Sequence, residues 1–409
     1  MAISRGSINH TLSQDIIAAV TSILRRQSCS APRSDLRRDS QRFIANFFEV
    51  KHCILMPYAR TCFYTVLKSL NLPPESEVLM TAFNIAPMLH IVHELGLKPK
   101  IIDINLEDFG PDYEMLEEEL SLKPRCFLLT YLFGMVPDIS LISDLCKKYQ
   151  VYLIEDISQN IGGKHNGKRL GTFGDAAIYS ASITKYVDGY NGAFILTNHN
   201  ELYRKATDMI LKFTKPSAKR IRLIILRTLI WNSALSRYIF SLFTYPALYL
   251  LRMFSRTSFD RLIGPSISCD FNKPLPDYYF EDIAKIQVKT ITKHIARLDD
   301  LILKRKAMAY CAINAFDDYS NKNSCFNRFY RDMTSTFWQF VVPVTNTAIA
   351  QDNLFIQGVE TGITNLPDLG SLNKSVLKNA IRLKNEFIFI PLHSNLKEFD
   401  YRRIKRILQ

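Results

Sequence analysis

The sequence predicts an α/β fold with a large, mainly parallel seven-stranded sheet and a smaller C-terminal α+β region. Three observations carry this expectation. Seven short apolar runs read as strands: Cys53–Met56, Glu77–Met80, Lys100–Ile104, Cys126–Tyr131, Val151–Ile154, Ala176–Ser180 and Ala193–Thr197. Most are separated by helical spacing, as with Ile139, Ile142, Leu145 and Tyr149 along one face. Strands alternating with helices argue for a sheet covered on both sides, with ligands at the carboxyl ends of the strands. The third observation is length: 409 residues exceed what one core usually holds, so a large unit plus a smaller one is expected.

Four segments follow. Residues 1–50 are polar, rich in Arg and Ser, with a helix-like stretch at Asp15–Arg26. Residues 51–219 carry the alternation. Residues 220–270 form an apolar insert holding Arg220, Arg222, Arg227, Arg237, Arg252 and Arg256, with no acid across 220–256. Residues 271–409 make the smaller unit: a helical pattern at Ile283–Phe316, strand-like Phe337–Val344, helix Ala350–Gln357, strand-like Phe387–Pro391 and a terminal helix. The longest charge-free run of the insert, 238–251, has 14 residues, against roughly 20 for a membrane span. Tolerating Arg237 stretches it to 228–251. Three readings stand open: an amphipathic element on an anionic membrane, a subunit-interface or domain-covering hairpin, and a span.

Composition bounds the function. Hydrophobic residues at 47% and charged residues at 22% exclude wholesale disorder. The net charge of +13 favours an acidic ligand or an anionic surface. Zinc-finger spacing and RNP-like aromatic runs are missing, which disfavours nucleic acid. The eight cysteines are scattered without a CxxC pair, so neither a zinc site nor a disulfide framework is expected. The N-terminus lacks the apolar stretch of a secretory signal, and a reducing cytoplasm fits best. His90, His93 and His165 show no metal-like grouping, and no GxGxxG, Walker or GxSxG motif occurs.

Chemistry gathers at three places. Val151-Tyr-Leu-Ile-Glu-Asp156 puts a carboxylate at the end of a buried strand. Such a group can keep a cofactor's pyridine nitrogen protonated, so that the ring takes up electrons; the ordinary alternative is a helix cap. Next, Tyr179-Ser180-Ala-Ser-Ile-Thr184-Lys185 follows a strand, with Lys185 lying 29 residues beyond Asp156. A desolvated lysine there can form an imine and shuttle a proton, whereas an isolated one is usually a solvated loop residue. Third, a helix begins near Arg60-Thr61-Cys62, after the first strand. Free N–H groups at a helix start bind phosphate, and Arg60 can add a charged contact; the alternative is an ordinary capped helix.

Taken in order, these stretches resemble the DegT/DnrJ-type sugar aminotransferases, a branch of fold-type-I pyridoxal-phosphate (PLP) enzymes. The resemblance runs through Pro73–Val78, Leu95–Ile104, Leu132-Phe-Gly134, Ile154–Gln159, Gly167–Asp175, Ser180–Lys185, Gly192–Asn198 and Ile390-Pro-Leu-His393. It covers about residues 40–212 and 280–409. It implies that Lys185 bonds the cofactor's aldehyde and that Asp156 partners the pyridine nitrogen. It places Gln159 against the ring, and Ser180 with the helix start at Arg60 and Thr61 on the phosphate. It also implies a homodimer that moves an amino group, typically from glutamate, to a nucleotide-linked keto-sugar. Dehydratase relatives carry His at the lysine position, so Lys185 favours transamination.

Departures accompany the resemblance. Ala59-Arg60 replaces a Gly-Thr pair. The aromatic ring-stacker falls at Ile85, with Phe83 nearby. The loop after Lys185 is about two residues short. A segment that often reaches the neighbouring subunit aligns roughly with Asp277-Tyr278-Tyr279. Elimination on the same fold, or a catalytically silent binding or regulatory protein, therefore stays open beside transamination.

Overall fold

The structure is a computed structural model that describes residues 1–24, 26–263, 270–316, 334–363, 366, 368–372, 376–393 and 396–409. Nine strands come first along the chain: β1 (His52–Met56), β2 (Glu77–Thr81), β3 (Lys98–Ile102), β4 (Cys126–Thr130), β5 (Tyr152–Asp156), β6 (Lys164–His165), β7 (Lys168–Arg169), β8 (Ala176–Ser180) and β9 (Ala193–Thr197). Seven build one sheet in the order β1-β9-β8-β5-β4-β2-β3, while β6 and β7 pair as a small hairpin. Strands β8, β5, β4, β2 and β3 run parallel; β9 runs antiparallel to both of its neighbours.

Parallel neighbours need crossovers, and helices Ala86–Glu94, Tyr113–Ser121 and Ile139–Tyr149 supply them. Every residue of β4 and β9 is buried, which is why both read as unbroken apolar runs. Side chains alternate between two cores. On β5, Leu153 joins Leu116, Ile142 and Tyr179 on one face, and Ile154 joins Phe63, Val66 and Leu128 on the other.

A glycine turn before β8 clasps the sheet from one side. Gly171 has φ +87°, a conformation that a side chain strains. A Cβ on Gly174 would meet the Leu153 carbonyl oxygen at 2.5 Å. The N–H groups of Gly171, Phe173 and Gly174 donate to the buried Glu155 carboxylate at 2.7–2.8 Å. This turn is therefore part of the scaffold beneath β5.

The C-terminal part adds β10 (Phe340–Pro343) antiparallel to β11 (Phe387–Ile390), with helices Thr347–Ile356, Lys378–Glu386 and Glu398–Leu408. Several boundaries differ from expectation. The helical pattern at Ile283–Phe316 divides into Lys285–Ile295 and Leu298–Ala315. The expected strand Phe337–Val344 shortens to β10, and the N-terminal helix runs Leu12–Leu24. The insert folds as helix Ala218–Leu235, a break with extended backbone at Ser236, and a helical run from Arg237 through a π-helical stretch at Phe240–Thr244 into helix Tyr245–Phe254. Among the described residues no helix is long and apolar enough to cross a membrane. The break at Ser236, followed by the exposed Arg237, removes the span reading.

Candidate active site

Parallel strands end together, and here they end on one cavity of about 930 Å³. Thr130 closes β4 in register with Asp156, which closes β5. Ser180 closes β8, and Lys185 follows five residues later. The cavity walls include Asp156, Gln159, Ser180, Lys185, Arg60 and Ile85. Six of the eight residues singled out in the sequence thus share one space.

Asp156 is buried, and burial pushes its carboxyl above the usual carboxylate range. Its Oδ1 accepts from the Ser158 N–H at 3.0 Å, and its Oδ2 from the Asn84 side-chain amide at 3.5 Å. Those bonds and the charge of Lys185 oppose the shift. Lys185 shows the opposite sign. Desolvation pulls its amine down to about 8, against a smaller upward pull from Asp156. Its Nζ sits 3.8 Å from the centre of the Trp338 ring, close enough for a cation–π contact when the amine is charged.

The Lys185 backbone is held from several sides. Thr184, a β-branched residue, has φ +73°, which is rare and strained outside glycine. The Trp338 indole N–H donates to the Thr184 carbonyl at 3.3 Å, and the Asn9 amide donates to the Lys185 carbonyl at 3.0 Å. Gly189 N–H closes the loop onto the Ala181 carbonyl at 2.8 Å.

Around this pair, Gln159 accepts the Phe133 N–H at 2.8 Å through Oε1, which leaves its amide nitrogen as the group available to the cavity. Ser180 N–H donates to Ser158 Oγ at 3.0 Å, and the Ser180 hydroxyl to Ser182 Oγ at 3.3 Å. Helix Ala59–Leu70 begins at Tyr58 without a side-chain cap, so its first N–H groups keep their donor capacity. The Arg60 guanidinium lies 4.8 Å from the Tyr58 ring centre and 4.7 Å from that of Tyr279. Ile85 supplies an apolar wall at the N-terminal boundary of helix Ala86–Glu94.

Two expected residues lie elsewhere. The Thr61 side chain is fully buried, and its hydroxyl donates to the Tyr279 carbonyl at 2.7 Å. Only its backbone N–H remains at the helix start. Phe83 is fully buried in the core beneath the cavity and does not line it. Tyr278 and Tyr279, aligned with a segment expected to reach a neighbouring subunit, line the cavity of their own chain.

Asn84, Trp338 and Asn9 were missed in the sequence. Asn84 had a signal: a polar residue three positions beyond a buried strand, between Phe83 and Ile85. Trp338 and Asn9 reach the lysine over sequence separations of 154 and 176 residues through their bonds to Thr184 and Lys185, and no local spacing announces that.

The model of the DegT/DnrJ/EryC1/StrS aminotransferase family matches residues 10–221. A pleiotropic regulatory protein of Geobacillus stearothermophilus is 31% identical over 174 residues, 42% of this chain and 47% of the relative. A GDP-perosamine synthase of Vibrio cholerae is 26% identical over 161 residues, 39% of this chain and 44% of the relative. The matched part thus spans about half the length of these relatives. The fold extends further. An aminotransferase from Psychrobacter cryohalolentis superposes with a TM-score of 0.73 at 16% identity, covering 98% of this chain and 96% of the other. A Helicobacter pylori aminotransferase involved in pseudoaminic acid biosynthesis gives 0.71 at 16% identity, covering 100% and 98%.

Proposed function

Because the chain belongs to the DegT/DnrJ/EryC1/StrS aminotransferase family, we propose that it is a PLP-dependent aminotransferase. It moves an amino group, from glutamate, to a keto-sugar carried on a nucleotide, in the biosynthesis of a polysaccharide, cell-envelope component or secondary metabolite. The observation that carries this reading is the pairing of Asp156 and Lys185 on one cavity, with opposite shifts of their proton affinities. A buried carboxyl and a buried amine shifted toward each other in one cavity mark a candidate acid–base site.

The residues present fit the cofactor. Asp156 is a buried carboxylate with few donors, suited to a cationic ring nitrogen. The uncapped start of helix Ala59–Leu70 and the Ser180 hydroxyl suit a phosphate. PLP, when bound, supplies an aldehyde that reacts with amines and a ring that takes up electrons. This chain does the rest. Asp156 keeps a proton on a nitrogen placed against it. Lys185, whose amine burial draws down to about 8, would hold the aldehyde and would supply the amine that carries a proton across the site. Gln159 and Ile85 would bound the ring, and Thr61 would contribute its backbone N–H alone. Residues 51–219 form the cofactor-binding unit, and 271–409 the smaller one. The enzyme works in the cytoplasm as a homodimer.

A second reading has one observation in its favour: one relative carries a regulatory name. A silent, cofactor-binding protein would keep the cavity without turnover. Absorbance spectra with PLP, then with glutamate, separate the two. Wild type is expected to develop a visible band that glutamate bleaches, and Lys185→Ala to lack that response. A band that glutamate leaves untouched, with no amino transfer to any keto-sugar offered, would favour the silent reading. No band at saturating PLP would overturn the aminotransferase reading and put the silent binding protein first.

A further inference from the structure

Helix Leu12–Leu24 lies against helix Ala218–Leu235, and their contacts set the direction. The Asn232 amide donates to Asp15 at 2.7 Å, and Arg222 Nε to the Ser22 carbonyl at 3.0 Å. Rising residue numbers on one helix meet falling numbers on the other, so the pair is antiparallel. Ala18, Ile221 and Ile225 are buried in their shared cluster.

The remaining apolar residues of the pair are bare. Leu24 is 77% exposed, Ile23 67%, Ile17 64%, Ile230 58% and Leu223 56%. The insert continues in kind, with Phe243 68% and Phe254 87% exposed. Soluble monomers rarely leave so many large apolar side chains on adjoining elements uncovered.

Charge says what covers them. From 209 to 259 the chain has no acidic residue and nine cations. Some are paired: Arg220 with Glu281, and Arg252 and Arg256 with Asp352. Lys215, Lys219 and Arg227 are exposed. The acid of helix Leu12–Leu24, Asp15, is fully buried and bound by His10, Tyr190 and Asn232. A second copy seated symmetrically on this face would set cation against cation. A layer of anionic headgroups over acyl chains complements both features at once.

We propose that the antiparallel pair Leu12–Leu24 and Ala218–Leu235, continued by Tyr245–Phe254, docks the protein onto an anionic lipid bilayer. The protein lies on the surface, as the lack of a spanning helix among the described residues requires. Docking does not depend on the aminotransferase reading. One consequence does. Ile224, Arg227 and Thr228 of the insert helix also line the cavity, so a docked chain presents the cavity rim at the lipid surface. The diphosphate of the nucleotide-linked acceptor would then meet the Arg227 cation at that rim.

The test is flotation of the full chain with phosphatidylcholine vesicles, with and without phosphatidylglycerol, together with sedimentation in solution. Wild type should float with the anionic vesicles and bind neutral ones about tenfold more weakly. Ile17→Asp with Leu24→Asp should lower anionic binding about tenfold, with sedimentation and the PLP spectrum unchanged. A second variant guards against misfolding. Lys215→Glu with Lys219→Glu places acids at a helix N-terminus, where they favour the helix, and should also lower binding about tenfold. No flotation with anionic vesicles would overturn the proposal. So would a face variant that changes the oligomeric state, because the face would then belong to a second copy. Neither failure touches the spectral test of the aminotransferase reading.

Discussion

Two carboxylates stand side by side on β5 and face opposite sides of the sheet. Glu155 turns to the glycine clasp, where the Tyr131 hydroxyl and three backbone N–H groups donate to it at 2.7–2.8 Å. Asp156 turns to the cavity, where its donors come from Ser158 and the more distant Asn84 amide. Burial raises both carboxyls. For Glu155 the opposing pull comes from bonds already made within the scaffold. For Asp156 part of it comes from Lys185, a charge across the site. The difference is one of completion: the chain completes the hydrogen bonds of Glu155, whereas Asp156 keeps acceptor capacity toward the cavity, as its proposed role requires.

The comparison can be broken by substitution. Glu155→Ala leaves the Tyr131 hydroxyl and three N–H groups without their acceptor. At roughly 1–3 kcal/mol for each buried unsatisfied group, a loss on the order of 4 kcal/mol is expected in denaturant titration. A loss under about 1 kcal/mol would mean that the clasp does not depend on the acid. Asp156→Asn should behave in reverse. It removes a buried charge, so stability should hold or rise. Glutamate turnover should fall roughly a hundredfold, the scale of losing one preorganised electrostatic partner. If the two variants swapped these signatures, the assignment of roles along β5 would be wrong.

The same contrast explains what was legible in the sequence. Buried strands such as β4, β8 and β9 stand out because both of their faces are apolar. Strand β3 was placed two residues late, because Lys98-Pro99-Lys100 reads as a turn. It is the edge of the sheet, where lysine and proline are tolerated. The break between Ile295 and Leu298 carries no glycine or proline, and periodicity passes over it. In the site, Asp156 closes a recognisable strand and Lys185 follows one, which made both stand out. Thr61 and Phe83 sit beside residues that do line the cavity, and adjacency in sequence does not say which way a side chain turns. Trp338 and Asn9 were invisible because only tertiary contact brings them to the lysine.

The finest test of the comparison uses the lysine itself, in protein freed of cofactor. An unfolded lysine releases its proton near 10.5, and Lys185 in the fold near 8. Between these values the unfolded chain holds a proton that the folded chain has released. Unfolding then takes up a proton, so stability should rise with pH across that window and lie level below it. Water in the cavity moderates the effect, and roughly 1 kcal/mol between about pH 8.5 and about pH 9.5 is the expected upper size. Lys185→Met should remove this rise while leaving other titrations in place. The measurement is the difference between the two proteins in denaturant midpoint at the two pH values. A rise of equal size in both would mean that Lys185 stays solvated. Asp156 would then face a free amine rather than a desolvated one, and the contrast with Glu155 would rest on hydrogen bonds alone.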